Sequence, residues 1–564
     1  MAPIVMGLAS AGLLHLAFPG RLGEGWGWLA WFAMAPLFGL VRAARPSYFS
    51  AWVGGLAFWL MTIPWVMVSD EGAWLAWVVM ATVLSLWWPT FLILARVAVV
   101  RLGLPLMLAA PVVWVALEFI QGYVLSGFPW YYLAHTQYRV LPMIQIADFA
   151  GAWGPSFLVA LVNAWWVDVL TLPLLRPSPG GPRPTRPQVA RLAVVATAML
   201  ATLSYGVFRL HTARFRPGPT LSLLQSDLKQ ELKMSVKPEV IRARYEQLVE
   251  RAALRQPDLI VWPETSWPVP IVAIDPQLGD AALNRLLLAK YPSGEETAAA
   301  WREWGGEISR SLHAWVDHIR TPMLIGTTTF DFRVKGFSKY NSAVLVAPGL
   351  ADLRSYHKLH LVPFGEYVPL IDVLPWLTAL TPYHGESIPS LVPGSEPIAF
   401  DLNGVRYATA ICFEDTVPRV CRRFFAEAQG GRQPDVLLNL SNDGWFRGSA
   451  EPEMHLAISV FRTIENRAPL ARAVNTGISA LVDGNGRILE HLRKGQGAEV
   501  RDEVLTVTVP LDDRVSLYSA WGDWLARACL AVSLGLVPMA ILRKIRQSRA
   551  GRLAPPLAQP PLVG

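Results

Sequence analysis

The first 212 residues read as a succession of apolar runs rich in Trp, Leu, Val and Ala, each near the length needed to cross a ~30 Å hydrocarbon core as a helix. Seven runs stand out, at roughly 3–19, 25–41, 49–69, 73–95, 104–122, 153–175 and 192–210, and an eighth lies at about 520–542. Between them the texture changes. Residues 217–515 carry short apolar runs that end in polar clusters, alternating with amphipathic stretches of helical period. Predicted strands fall at 220–227, 257–265, 321–329, 340–348, 405–415, 435–443, 469–477 and 504–511, and predicted helices include 240–253 and 454–468. Near-continuous apolar strands alternating with helices imply an α/β core with both sheet faces covered. The expected organisation is a membrane domain of seven transmembrane helices (1–216), an aqueous domain (217–515), an eighth transmembrane helix (516–545) and a Pro-rich tail (546–564).

Composition agrees with a multi-span chain carrying a large aqueous domain: 52% of residues are hydrophobic, 24 are Trp, and the mean hydropathy is +0.32. The first run is not read as a cleaved leader, because MAPIV lacks a basic n-region and further spans follow. Charge refines the picture through its distribution. Arg42, Arg45, Arg96, Arg101, Arg176, Arg183, Arg186 and Arg191 fall in alternate loops, and Arg543, Lys544, Arg546, Arg549 and Arg552 follow the last span. The intervening loops carry Asp70 and Glu71 or the balanced pair Arg21 and Glu24. Basic residues are retained on the cytoplasmic side, so both termini are expected inside and the aqueous domain outside. The net charge of +7 is then a matter of topology, and no nucleic-acid surface is expected. The Pro/Gly-rich segment 176–188 and the tail 554–564 read as unstructured, and there is no internal repeat.

Candidate chemistry sits where apolar runs end, at Glu264, Cys412, Asn442 and Asp443, the place where α/β folds put their ligand sites. Lys358 in KLHLVPFGEYVPL, Glu264 in LIVWPET and Cys412 in ATAICFED supply what cysteine chemistry on an acyl group requires. These are a nucleophilic sulfur, a group to move its proton, and a cation where charge develops on the carbonyl oxygen. Cys421 and Cys529 read as buried apolar residues, with a Cys412–Cys421 disulfide conceivable in an oxidising compartment; the segments flanking Cys412 favour a free thiol there through the resemblance given below. His357 and His360 lack an accompanying ligand set, so no metal is expected. Glu118, inside an apolar run, is either functional or sits with its carboxylate in water at the outer interface. There is no G-x-S-x-G elbow, P-loop or H-E-x-x-H motif.

These segments carry a resemblance. Residues 217–515 resemble the nitrilase superfamily, whose Glu-Lys-Cys triad sits in an α-β-β-α sandwich, and the whole chain resembles its membrane-bound branch, the apolipoprotein N-acyltransferases of bacterial lipoprotein maturation. The matching segments are VWPET, YNSAV, KLHLVPFGEYVPL, AICFED, SNDGWF and ENRAPLARAVNTGISALVDGNG, with SGFPWYYLAHTQY and GPSFLVALVNAWW in the membrane half. The resemblance implies Cys412 as nucleophile, Glu264 as general base and Lys358 as oxyanion cation, supported by Glu366, Glu414, Phe413 and Asn341. Phe413 replaces the usual Tyr after the nucleophile, and the family's QGN segment reads QSD at 225–227. No cofactor is implied. The implied partners are a phospholipid acyl donor, with phosphatidylethanolamine expected, and a diacylglyceryl apolipoprotein acceptor. The implied location is the bacterial inner membrane, with the catalytic domain periplasmic.

The apolar segment 367–385 would be unusual as a solvated loop and reads as an arm lying on the bilayer with Trp376 at the interface. Trp445 and Phe446 of SNDGWF read as a second lid element. A membrane-tethered amidase or hydrolase would use the same triad but deliver water, and it needs neither eight spans nor an apolar arm. A transporter or sensor explains the spans but not the three triad segments. The role of residues 284–306 is not legible.

Overall fold

Alternation along the polar half of the chain becomes two sheets packed face to face. The computed structural model describes residues 1–20, 23–69, 73–171, 186–228, 237–291, 293–350, 352–371, 373–380, 391–446, 448–492 and 503–553. Its strands are β1 (Phe215–Gln225), β2 (Leu259–Val261), β3 (Ile271–Ile274), β4 (Met323–Arg333), β5 (Gly336–Val346), β6 (Arg354–His357) and β7 (Ala399–Leu402). They continue with β8 (Val405–Ile411), β9 (Val436–Ser441), β10 (Leu470–Val474), β11 (Ser479–Val482), β12 (Ile488–Leu492) and β13 (Glu503–Asp512). One sheet runs β13-β1-β2-β4-β5-β6 with β3 on β4, and the other β12-β11-β10-β9-β8-β7.

The period of two decides the layers. Leu221, Leu223, Leu259, Val261, Leu324, Ala343 and Leu345 share a core with Ala408, Ala410, Leu438 and Leu440 of the second sheet. Their neighbours Leu224, Ile260, Trp262, Met323, Ile325 and Val344 turn the other way, onto the helices Pro238–Ala253 and Ala298–Ile319. Helices Pro418–Ala426 and Glu451–Asn466 cover the second sheet with Cys421, Phe424, Leu456, Val460 and Phe461. Each fully buried large apolar side chain in these layers contributes about 1.5–3 kcal/mol. All eight predicted strands are present. Five more among the described residues, β3, β6, β7, β11 and β12, have four or five residues each and lack the continuous apolar run that marks the predicted ones. The illegible stretch 284–306 falls on the helices Asp280–Lys290 and Ala298–Ile319, which close a small core around Leu283, Leu287, Trp301 and Phe332.

The predicted apolar runs are helical in their described parts, with a more varied build than eight equal spans. Among the described residues, three helices are long and apolar enough to cross a membrane by themselves: Trp74–Arg101, Gln188–His211 and Trp524–Ser548. A fourth crossing would be the pair Leu141–Ala150 and Trp153–Val169, bent by 120°. Ala2–Ala17, Gly27–Arg42 and Leu106–Gln121 are shorter apolar helices. Close packing uses small residues: a Cβ added at Gly54 would lie 2.8 Å from the Gly7 Cα. Polar side chains join the helices, as where Asn163 Oδ1 accepts from Met34 N at 2.8 Å and its Nδ2 donates to the Ala30 carbonyl at 2.8 Å.

Antiparallel pairing of β1 with β13, register Phe215↔Asp512, brings the two ends of the sandwich together next to the helices that precede and follow it. A buried ion pair adds to this junction: Arg467 Nε donates to Asp148 Oδ2 at 3.0 Å. Residues 176–185 and the tail 554–564, expected to be unstructured, lie outside the described residues.

Candidate active site

Each candidate residue hangs from the end of a strand. Glu264 follows β2, Lys358 follows β6, and Cys412 follows β8, so three runs distant in sequence deliver their side chains to one place. Lys358 Nζ donates to Glu264 Oε1 at 3.1 Å and to Glu366 Oε1 at 2.9 Å. Asn341 of β5 donates through Nδ2 to the same two oxygens, at 2.7 and 3.0 Å. Glu366 Oε2 accepts from the Val362 N–H at 2.7 Å, closing the turn that carries it. Lys358 is 1% exposed. Burial alone would favour its neutral form, but Glu264 and Glu366 outweigh that and hold the ammonium charged.

Cys412 begins a short 3-10 turn, Cys412–Thr416, with φ of +51°. A residue with a Cβ in the left-handed region costs on the order of 1–2 kcal/mol, so the turn must be held from outside. Glu414 holds it. Its Oε2 accepts from Ile411 N at 2.7 Å, while Oε1 accepts from Leu359 N at 2.6 Å, His360 N at 3.0 Å and the Tyr356 hydroxyl at 2.9 Å. Burial pushes the Glu414 carboxyl up to about 7, against these donors, which favour the carboxylate. Because Leu359 and His360 adjoin Lys358, one carboxyl fixes the nucleophile turn to the lysine segment. Asn439 Nδ2 donates to the Cys412 carbonyl at 3.0 Å.

The thiol is half-buried and unbridged, as are Cys421 and Cys529 in their buried positions. Burial raises the Cys412 thiol well above its usual range; the Glu264 charge adds to the rise and Lys358 opposes it. The resting sulfur is therefore a thiol, and it needs a base at the moment of attack.

Phe413 stacks on His360, ring centroids 5.8 Å apart, and packs with Phe446 against the core of the membrane helices. Phe446 meets Trp65 edge to face. Trp445 is partly exposed. Trp376 lies in a 3-10 turn, Pro375–Leu380; its side chain and residues 381–385 of the expected arm lie outside the described residues. Glu118 is 5% exposed and accepts from Leu133 N at 2.7 Å and Trp114 Nε1 at 2.9 Å. This corrects the alternative that set its carboxylate in water: the chain around Trp130 and Leu133 folds back over it and supplies donors in place of solvent. His357 bonds Ser342 Oγ through Nδ1 at 2.8 Å and stacks on Tyr340.

A buried polar group behind the nucleophile was not read from the sequence, apart from Asp443. His455 Nε2 lies 2.7 Å from Asp415 Oδ1, and its Nδ1 lies 3.3 Å from both Asp443 Oδ1 and Glu451 Oε1. Asp443, Glu451 and His455 bring ligand-type atoms within 4.8 Å of one another. Arg472 already places a cation there, 2.6 Å from Asp415 Oδ2 and 3.7 Å from Asp443 Oδ2. The signal was thin: a polar SND at a strand end, with its partners on a helix and a strand far along the chain.

Comparison with known proteins decides the relationship. Residues 10–165 match the apolipoprotein N-acyltransferase N-terminal domain family and residues 230–518 the carbon-nitrogen hydrolase family. The apolipoprotein N-acyltransferase of Geobacter metallireducens is 32% identical over 554 residues, spanning 96% of this chain and 95% of that protein. The chain belongs to the apolipoprotein N-acyltransferase family. The family's enzyme from Chlorobaculum tepidum is 28% identical over 570 residues, covering 96% of this chain and 97% of that one. Among solved structures, an amidase from Nesterenkonia sp. aligns with TM-score 0.33 at 16% identity, over 53% of this chain and 93% of that one. Membership accounts for the composite build of this N-acyltransferase-family chain, apolar helices at both ends and a carbon-nitrogen hydrolase fold between them.

Proposed function

We propose that this chain transfers an acyl group from a membrane phospholipid, through a thioester on Cys412, to the α-amino group of the diacylglyceryl cysteine that begins an apolipoprotein. The observation that carries the reading is the Glu264–Lys358–Glu366–Asn341 set facing a Cys412 turn whose next residue, Phe413, packs against the membrane helices.

In the first step Glu264 takes the thiol proton as sulfur attacks the ester carbonyl, and the Lys358 ammonium stabilises the oxyanion. The tetrahedral adduct collapses to a thioester and expels the lysophospholipid alkoxide, which receives the proton from Glu264. In the second step the acceptor amine attacks the thioester, Glu264 accepts its proton and passes it to the departing sulfur, which leaves as the restored thiol. No metal or cofactor is required by these steps. Glu366 and Asn341 hold Lys358 and Glu264 in place by fixed hydrogen bonds, and Glu414 sets the turn.

The same reading assigns residues 1–216 and 516–545 to the membrane as eight crossings, some broken, 217–515 to the periplasmic catalytic domain, and both termini, with the tail 546–564, to the cytoplasm of a bacterial inner-membrane protein. Phosphatidylethanolamine is the proposed donor. The exposed Leu370 and Val373 support an arm at 367–385 that touches the bilayer, tethered by a hydrogen bond between Tyr367 and Ser126. Trp376 would extend that arm, and Trp445 with Phe446 would form the opposite side of the acyl entry.

The test is intact-mass detection of an acyl adduct on the full-length protein in phosphatidylethanolamine vesicles, with Cys412→Ala as control. Removal of the adduct by a diacylated lipopeptide, with the acyl group recovered on the peptide amine, supports N-acyl transfer. An adduct lost to water alone turns the reading to a membrane hydrolase, and no adduct at all overturns the triad assignment.

A further inference from the structure

Ser441 ends β9, beside the nucleophile strand: β8 and β9 pair in parallel with Ile411 opposite Leu440, which sets Ser441 next to Cys412. The serine is fully buried. Its Oγ lies 2.7 Å from Asp443 Oδ1, and with Ser441 beside Cys412 in the strand register the hydroxyl acts to favour the thiolate. A hydroxyl has one hydrogen and two lone pairs, so it cannot donate to both neighbours at once. With sulfur as a thiol, S–H donates to Oγ and the hydroxyl hydrogen rests on the Asp443 carboxylate. With sulfur as a thiolate, the same hydrogen is better placed on sulfur.

Asp443 is itself held. His455 Nδ1 faces it at 3.3 Å and Arg472 at 3.7 Å, and both reach across to Asp415, which sits in the nucleophile turn and also accepts from Ser459 Oγ at 2.7 Å. Glu451 faces His455 from one helical turn away, and the Trp130 ring lies 5.7 Å from its imidazole. Burial and Arg472 oppose a charged His455, but Asp415 and Asp443 outweigh them and keep it protonated. His455 hydrogen-bonds Asp415 through Nε2 and faces Asp443 as an ion pair through Nδ1, so its charge holds both carboxylates in one frame and Ser441 is aimed from the same network that holds the turn of Cys412.

We propose that Ser441, aimed by the Asp443–His455–Asp415 network, is a further functional residue of this site, whose hydroxyl hydrogen bonds Asp443 while Cys412 is a thiol and turns to sulfur as the thiolate forms. Ser441 transfers no proton; the thiol proton goes to Glu264, and only the direction of one O–H changes. The same turn recurs when the thioester sulfur departs. The inference rests on Cys412 being the nucleophile.

The experiment measures iodoacetamide alkylation of Cys412 against pH by peptide mass spectrometry, and Cys412 acylation in phosphatidylethanolamine vesicles, on the full-length protein. Ser441→Ala removes the donor to the thiolate, so its alkylation midpoint moves up by about half a pH unit or more, and acylation slows about tenfold. Asp443→Asn weakens the competing acceptor and removes a negative charge, so its midpoint moves down. A loss of packing alone would not give opposite signs. Equal midpoints and equal acylation rates in Ser441→Ala and the natural protein overturn the proposal. Natural protein that is alkylated but never acylated overturns the acyltransferase reading instead, and the midpoints still decide for or against Ser441.

Discussion

Phe446, on the turn that follows β9, meets Trp65 of the membrane part edge to face with ring centroids 5.0 Å apart. Trp65 in turn lies against Trp130, 5.1 Å away, and Trp130 against His455. The contacts join the turn after β9 to the apolar helices by rings, and through Trp130 to His455.

Phe446→Ala removes the contact with Trp65. An edge-to-face pair contributes about 0.5–1.5 kcal/mol beyond its buried area. The expected outcome is a kcat/KM for long-chain phospholipid lowered about tenfold, with a short water-soluble acyl ester changed less than about twofold, because the lost contact serves the chain and not the carbonyl. Parallel kinetics on the two donors check this, and an equal loss on both would refute it.

The elevated Cys412 thiol sets a pH dependence. A raised thiol pKa means little thiolate at neutral pH, so alkylation keeps climbing as pH rises through and beyond the range where an ordinary thiol levels off. Glu264 is one cause of the rise. Glu264→Gln therefore lowers the alkylation midpoint while abolishing acylation, since the sulfur gains acidity but the base is gone. A rate-versus-pH series on both proteins tests the sign.

Glu366→Gln keeps the volume and removes the charge that shares Lys358 with Glu264. Lys358 then swings toward Glu264 alone, and acylation falls about 100-fold while Cys412 alkylation changes far less, because the defect lies in oxyanion placement. Single-turnover acylation alongside alkylation separates the two. Unchanged acylation would remove Glu366 from the site.

The junction between sandwich and membrane part depends on Arg467 and Asp148. Asp148→Asn leaves a buried guanidinium short of its counter-charge and is expected to cost about 3–5 kcal/mol. Combining it with Arg467→Met should recover a substantial part. Denaturant unfolding in detergent, single against double variant, measures the coupling.

Much of this protein follows from patterns local in sequence. Apolar runs such as SLLQ and LIVW place Leu223 and Ile260 on opposite sheet faces because side chains alternate along any strand, and the longer apolar runs mark the apolar helices at both ends of the chain, three of them, among the described residues, long enough to cross a membrane. Glu264, Lys358 and Cys412 are visible because each ends such a run. Tertiary structure decided the rest. Whether Lys358 is charged depends on Glu264 and Glu366 arriving from other segments, and whether Glu118 meets water depends on the chain folding back at Leu133. The Ser441–Asp443–His455–Asp415–Arg472 network joins five elements whose pairings no local pattern encodes, since hydrogen bonds and charges act through space and register, while sequence periodicity reports only which face of its own element a residue occupies.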